Sequence, residues 1–392
     1  MLTGAPVTRA WAAITAVTVL NLPLGSIYAF SVFLKPIEAE LGLARSALSL
    51  VFGLASIGFT VGMLAAPYAY GMMSAPRLVA LCSTIAAIGI GLSAMANGLI
   101  QLLLGYGVLF GLGGGAAYIV AQQSVNLLVR GKRGLINGYI VGLYPAGAMV
   151  AAPLFGWANG EFGYRWTMGG LSVVLIATGL AAIALLRHSG VVLPRHVRAA
   201  SAQNRRTAIF TRLFIVFFVA AAAGLTVLSQ AAGIIAAYGG TTAMALTATT
   251  FITGSIACAR VSGGWFTDRI PVPFVAAGAQ GFALIGAILL TIWPNPMVAA
   301  VALGMVGMGY GFISGATAGA IAIYWPVEVY GRIASRLYIA WCIAAVSLPL
   351  LAGHLYDVTK GYYAAVIIAG GGNLIGVIVA LGLPRKTNPQ AD

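Results

Sequence analysis

Long apolar runs, separated by short polar segments, repeat along almost the whole chain. A helix of about 20 residues rises about 30 Å, which is enough to cross the hydrocarbon layer of a membrane. We identify twelve such runs and predict a transmembrane helix for each. The predicted spans are 11–34, 47–72, 77–97, 100–127, 135–159, 166–186, 213–238, 243–267, 272–292, 297–323, 334–356 and 361–384.

The composition supports a membrane protein and excludes an ordinary soluble domain. Of the 392 residues, 60% are hydrophobic and 7% are charged, and the mean hydropathy is +0.98. Soluble domains carry about 25% charged residues. The fold class we predict is therefore an all-α integral membrane protein.

The net charge of +14 reflects membrane topology rather than nucleic-acid binding. With a cytoplasmic N-terminus, four basic residues fall in outer segments, and acidic residues match them in number. Excess Lys and Arg mark cytoplasmic segments, so we predict a multi-pass protein of the cell (inner) membrane with both termini in the cytoplasm. The inner basic residues would be Arg9, Arg77, Arg130, Lys132, Arg133, Arg187, Arg195, Arg198, Arg205, Arg206, Arg212, Arg269, Arg332, Arg336, Arg385 and Lys386, and the outer ones Lys35, Arg45, Arg165 and Lys360.

A polar, arginine-rich stretch divides the chain. We predict a six-helix half over 1–186, a cytoplasmic linker over 187–212 and a second six-helix half over 213–392. An offset of 196 residues places Gly111, Gly113 and Gly115 on Gly307, Gly309 and Gly311, which favours two parallel repeats.

One arginine departs from the apolar pattern. Arg260 lies in span eight, eight residues before Asp268 and hence about 12 Å from the end of the span. A charge at such depth is costly, and we place the acidic residues in loops, near helix ends or at the terminus. A guanidinium fork suits a carboxylate, so we interpret Arg260 as an anion-binding residue. In the alternative interpretation, backbone carbonyls and hydroxyls such as those of Ser255 and Ser262 satisfy it structurally.

Several segments resemble a known family. Residues 264–269, GWFTDR, match the G-x-x-x-D-R loop motif of the major facilitator superfamily, and the corresponding loop after span two has lost its acidic residue. Residues 25–33, 111–118 and 132–138, with Pro145 and Gly147, resemble the branch of monocarboxylate transporters and oxalate:formate antiporters. The resemblance implies the twelve-helix major facilitator fold with two six-helix pseudo-repeats. It also places Arg260 at the substrate-binding arginine of that branch.

Two departures limit what the resemblance implies. Proton-coupled monocarboxylate transporters place an aspartate one turn before the arginine, where this chain has Ile256. Oxalate antiporters place a lysine in span eleven, where this chain has Trp341. One cation favours a monoanion over a dianion, because a second buried negative charge would lack a counter-charge. Antiport, facilitated transport and proton symport all remain open.

The resemblance also implies a set of aromatic residues around the arginine and a gate. The aromatic candidates for substrate binding are Tyr28, Tyr118, Tyr144, Tyr338 and Trp341; each could instead serve only in packing. Gln122, Gln123 and Gln230 are weaker candidates, since amides often bridge neighbouring helices. Asp268 and Arg269 would hold the cytoplasmic side closed by pairing with helix ends of the opposite half.

These observations favour a secondary transporter that moves a small organic anion by alternating access. A carrier of a drug-like or sugar-like solute on the same fold is the alternative. We expect no enzymatic activity, because no nucleophile, metal cluster or carboxylate pair is found at membrane depth. We also expect no cofactor and no metal. The expected partners are the anion and the lipid bilayer, not nucleic acid, and we expect a monomer.

Overall fold

The computed structural model describes residues 7–194, 203–359 and 361–385, and the described residues form helices without a β-strand. Arg195, Arg198, Lys360 and Lys386, used above for topology, lie outside this part of the chain. Thirteen α-helices follow one another in it: α1 Val7–Leu24, α2 Ser31–Leu41, α3 Arg45–Ala65, α4 Ala75–Ala94, α5 Leu99–Leu102, α6 Gly111–Leu128, α7 Arg133–Ser189, α8 Gln203–Ala237, α9 Thr242–Thr267, α10 Val272–Ile292, α11 Pro296–Tyr324, α12 Tyr330–Thr359 and α13 Tyr363–Leu381.

Eleven helical stretches of the described chain are long and apolar enough to cross a membrane. One of them is the 57-residue α7, which breaks at Gly163, where φ is 80°. This break falls between the predicted spans 135–159 and 166–186, so α7 accounts for two spans. The structure thus confirms the prediction of an all-α membrane protein.

The first span is interrupted where the sequence predicts a continuous helix. Pro23 lies in the last turn of α1, and Gly25–Ala29 form a tighter 3-10 turn before α2. Tyr106 donates a hydrogen bond to the carbonyl of Ile27 in this turn, at 3.4 Å. Proline withholds an amide hydrogen, which weakens the regular helix at this point.

The helices pack into two compact units. Unit 1 contains the described residues of Met1–Gly131, Leu143–Arg198 and Val327–Arg336. Its centre is α6, which packs against α1, α3 and α4 and is buried along most of its length.

Unit 2 contains the described residues of Lys132–Gly142, Ala199–Pro326 and Leu337–Asp392. Its centre is α11, which packs against α8, α9 and α10. The first ten residues of α7 therefore belong to this unit, packed on α9.

Candidate anion-binding site

Arg260 lies on α9 inside unit 2 and is only 4% exposed. Its Nη1 donates to the backbone carbonyl of Val141 at 3.1 Å, and its Nη2 donates to the hydroxyl of Tyr310 at 2.9 Å. The guanidinium carbon also lies 5.1 Å from the centre of the Tyr310 ring, a cation–π distance. The Val141 carbonyl and the Tyr310 hydroxyl are neutral acceptors, so neither of these two bonds neutralises the guanidinium.

Close helix packing brings these groups together. A Cβ atom added at Gly315 of α11 would collide with the backbone carbonyl of Arg260, and one at Gly224 of α8 would lie 2.3 Å from Cβ of Tyr310. Only glycine permits such approaches between helix backbones and neighbouring side chains. The glycines of α8 and α11 therefore place Tyr310 beside Arg260.

Aromatic side chains of α12 extend this site. The indole nitrogen of Trp341 donates to the Tyr310 hydroxyl at 3.1 Å, so the phenol oxygen accepts from both Trp341 and Arg260. Tyr338 lies 6.3 Å from Trp341 and 5.6 Å from Phe217 between ring centres. Two predicted site residues, Tyr338 and Trp341, thus lie in the same unit as Arg260, and Trp341 joins it through Tyr310.

The three other predicted tyrosines cluster in unit 1. The ring of Tyr144 lies 5.2 Å from that of Tyr118 and 6.4 Å from that of Tyr28, in edge-to-face contacts, and Phe59 packs against Tyr118 and Tyr144. The Tyr144 hydroxyl donates to the carbonyl of Gly114 at 3.5 Å. The structure brings these tyrosines together as one aromatic cluster, and their contact with a substrate stays a prediction.

Asp268 caps the N-terminus of α7. Its carboxylate accepts the backbone N–H groups of Gly134 and Leu135, each at 2.8 Å. A negative charge at a helix N-terminus interacts favourably with the helix dipole. Arg269 instead stacks on Trp265, with its guanidinium carbon 3.8 Å from the ring centre. The gating role of Asp268 and Arg269 stays a prediction, but the contacts of both residues are now defined.

A second helix N-terminus is held by uncharged side chains in unit 1. Gln123 accepts from the backbone N–H of Gly331 at 2.6 Å and donates to the carbonyl of Val327 at 2.8 Å. Gln122 donates to the Tyr330 hydroxyl at 2.9 Å. These amides, weaker substrate candidates in the sequence, bridge α6 to the start of α12.

Sequence reasoning missed two partners of Arg260. Tyr310 lies among the glycines of α11, where a buried aromatic residue amid small ones was the available signal. Val141 contributes only its backbone, which residue types do not show. The hydroxyls of Ser255 and Ser262 donate to carbonyls of their own helix. The carbonyl and the hydroxyl that accept hydrogen bonds from Arg260 are instead those of Val141 and Tyr310.

Comparison with known proteins identifies the family of this chain. The family model of the Major Facilitator Superfamily matches residues 18–347. The chain belongs to the Major Facilitator Superfamily. Members of this superfamily are transporters and not enzymes, so the chain is a multi-pass membrane transporter.

Individual relatives are distant. The chain is 27% identical to monocarboxylate transporter 13 of Rattus norvegicus over 320 residues, 77% of this chain and 71% of that protein. It is 26% identical to the uncharacterized MFS-type transporter YhjX of Escherichia coli over 139 residues, which span 36% of this chain and only 35% of that relative. The outward conformation of the major facilitator transporter FucP superimposes with a TM-score of 0.77 at 14% identity, covering 96% of this chain and 100% of that one; this similarity concerns the fold alone.

Proposed function

We propose that this transporter carries a small organic anion, a monocarboxylate, by alternating access. The observation that carries the proposal is Arg260, a buried guanidinium anchored by a carbonyl and a phenol. Burial strengthens the interaction of the guanidinium with a carboxylate, because water screens the charge less. The similarity to monocarboxylate transporter 13 supports this substrate class.

The residues around Arg260 favour one carboxylate over two. Trp341 occupies the place of a second cation in the oxalate-transporting branch, and it donates its N–H to Tyr310. A dicarboxylate would bring a second negative charge, and the single guanidinium of Arg260 balances only one. Apolar and aromatic rings, among them Phe217 and Tyr338, suit a short carbon chain.

We predict that Arg260 determines anion affinity. Losing a hydrogen bond to a charged group costs about 1.5–3 kcal/mol, so Arg260→Ala should weaken carboxylate affinity by roughly ten- to a hundredfold or more. Arg260→Lys retains the charge but lacks the paired N–H donors of a guanidinium, so it should bind the anion better than Arg260→Ala and less tightly than the parent. The measurement is uptake of radiolabelled lactate, pyruvate, formate, acetate and oxalate into proteoliposomes, with and without a pH gradient.

Arg45→Ala is the matched control, because it also removes an arginine, one whose side chain is 60% exposed in its pair with Glu38. This variant should transport like the parent. Each variant must also insert normally and elute as a monodisperse species. If Arg260→Ala folds normally and carries every tested carboxylate with unchanged affinity and rate, Arg260 is structural and a drug-like or sugar-like substrate becomes the better proposal.

A further inference from the structure

Pro145 leaves a backbone carbonyl of α7 without its usual donor. In an α-helix each N–H bonds to the carbonyl four residues earlier, and proline has no N–H. The residue four before Pro145 is Val141, and both lie inside the continuous helix. Because Val141 and Pro145 are buried, water does not readily take over the missing hydrogen bond.

Arg260 supplies that missing donor. Its Nη1 lies 3.1 Å from the Val141 carbonyl oxygen, in a fully buried contact. This bond ties the first ten residues of α7 to α9, and it uses the same guanidinium to which we assign the substrate carboxylate. A carbonyl and a carboxylate are both acceptors, and the charged one makes the stronger hydrogen bonds.

The segment 132–142 otherwise rests on α9 through glycines and the cap. Gly134, Gly138 and Gly142 recur every four residues along it. A Cβ at Gly134 would lie 2.2 Å from the Gly264 carbonyl, and one at Gly138 would lie 2.5 Å from the Arg260 carbonyl. Asp268 holds the N-terminal end of the same segment. Arg260 and Asp268 therefore fasten opposite ends of one helix–helix interface.

We propose that the Val141 carbonyl competes with the substrate carboxylate for Arg260, so that anion binding loosens segment 132–142 from α9. The proposal rests on the proposed function. When the guanidinium turns to the anion, the carbonyl loses its donor, and Pro145 cannot replace it. The substrate thus removes the bond at the C-terminal end of segment 132–142, while the bonds of Asp268 at its N-terminal end remain.

Coupling of this kind is reciprocal: a change that weakens the Arg260–Val141 bond and leaves Arg260 itself in place must raise anion affinity. Pro145→Ala restores an N–H that can bond to the Val141 carbonyl. Gly142→Ala acts independently, because its Cβ would lie 3.2 Å from Val261 Cγ2 and 3.3 Å from the Ala257 carbonyl and would push the segment away slightly. We expect each variant to bind pyruvate roughly three- to tenfold more tightly, corresponding to part of one hydrogen bond.

The experiment measures pyruvate affinity by calorimetry on the purified full chain in nanodiscs, and pyruvate exchange in proteoliposomes. Pro153→Ala and Gly156→Ala are matched controls in the same helix: Pro153 is exposed, and a Cβ at Gly156 meets nothing within 4 Å. Both controls should bind like the parent. Hydrogen exchange supplies the reciprocal measurement, since pyruvate should accelerate exchange of the amides in 132–142 of the parent.

Tighter pyruvate binding in Pro145→Ala and Gly142→Ala, with unchanged binding in the two controls, supports the competition. Unchanged or weaker binding in both variants, while Arg260→Ala weakens binding as predicted, overturns the competition and leaves the proposed function standing. If neither pyruvate nor another acid of the panel binds to the parent, the proposed function fails and the competition fails with it.

Discussion

Ile256 and Arg260 are four residues apart on α9, so their side chains share one face of the helix. Ile256 is 1% exposed and packs against α11, where a Cβ at Gly307 would lie 3.1 Å from its Cδ1. The resemblance to proton-coupled monocarboxylate transporters implies an aspartate at position 256, and this chain has an apolar contact there. We infer that no acid at this position of α9 couples transport to protons.

Ile256→Asp should therefore introduce a proton dependence. The new carboxylate would pair with Arg260 and compete with the substrate until it is protonated, so uptake should respond more strongly to an inward proton gradient. Uptake of pyruvate at matched substrate concentrations, with and without the gradient, measures this response. Ile256→Asn introduces a side chain of the same size as Asp without the charge, and this variant should not acquire the response to the proton gradient. If Ile256→Asp responds to the gradient no more strongly than the parent and Ile256→Asn do, this position does not determine proton coupling and our inference is wrong.

At this scale, the sequence predicts the charge and misses its surroundings. Arg260 is visible because a charged residue in an apolar span is rare and expensive. The role of Tyr310 cannot be predicted from the sequence, because an aromatic residue in a span is as compatible with helix packing as with binding. The Val141 carbonyl is invisible to residue types, although Pro145 four residues later signals that some carbonyl in the helix lacks its donor.

The N-termini of α7 and α12 carry side-chain caps of different chemistry. Asp268 holds the start of α7 in unit 2 with a charged carboxylate, and Gln123 holds the start of α12 in unit 1 with a neutral amide. The loop between α3 and α4, which follows the second predicted span, lacks an acidic residue, as the sequence showed. The cap of α12 thus comes from within α6, and its strength should depend little on salt because it carries no net charge.

We predict that each cap protects its own segment. Asp268→Asn loses the charge and one of two acceptors, so amide exchange should accelerate in 132–142. Gln123→Ala removes an acceptor and a donor, so exchange should accelerate in 327–336. Hydrogen-exchange mass spectrometry measures both peptides in one sample, and each serves as the other's control. Equal exchange in parent and variants would show that these bonds do not fasten the helix ends.

Element boundaries show what hydropathy can and cannot detect. The helix α8 begins at Gln203, ten residues before the predicted span at 213, because its first turns carry arginines that are compatible with a helix but not with hydrocarbon. Hydropathy therefore marks the apolar part of a helix and misses its polar extension. Gly163 lies between the predicted spans 135–159 and 166–186, and the helix α7 breaks there at this single residue.

At the scale of the whole molecule, the two compact units cut across single helices. The first residues of α7 belong to unit 2, and the first residues of α12 belong to unit 1. A boundary drawn from the polar linker cannot detect this, because it follows chain order rather than contacts. The predicted six-helix halves 1–186 and 213–392 stay a prediction.

The orientation of the chain in the membrane is the remaining prediction, and it rests on the excess of basic residues in the inner segments. Ser201→Cys, in the predicted linker outside the described residues, should react with an impermeant maleimide only when the cytoplasmic face is accessible. Ala44→Cys, at an exposed position between α2 and α3, should react in intact cells. Cys82, Cys258 and Cys342 are replaced first, because Cys258 is itself exposed. Labelling of Ser201→Cys in intact cells, with Ala44→Cys protected there, would reverse the orientation and place both termini outside.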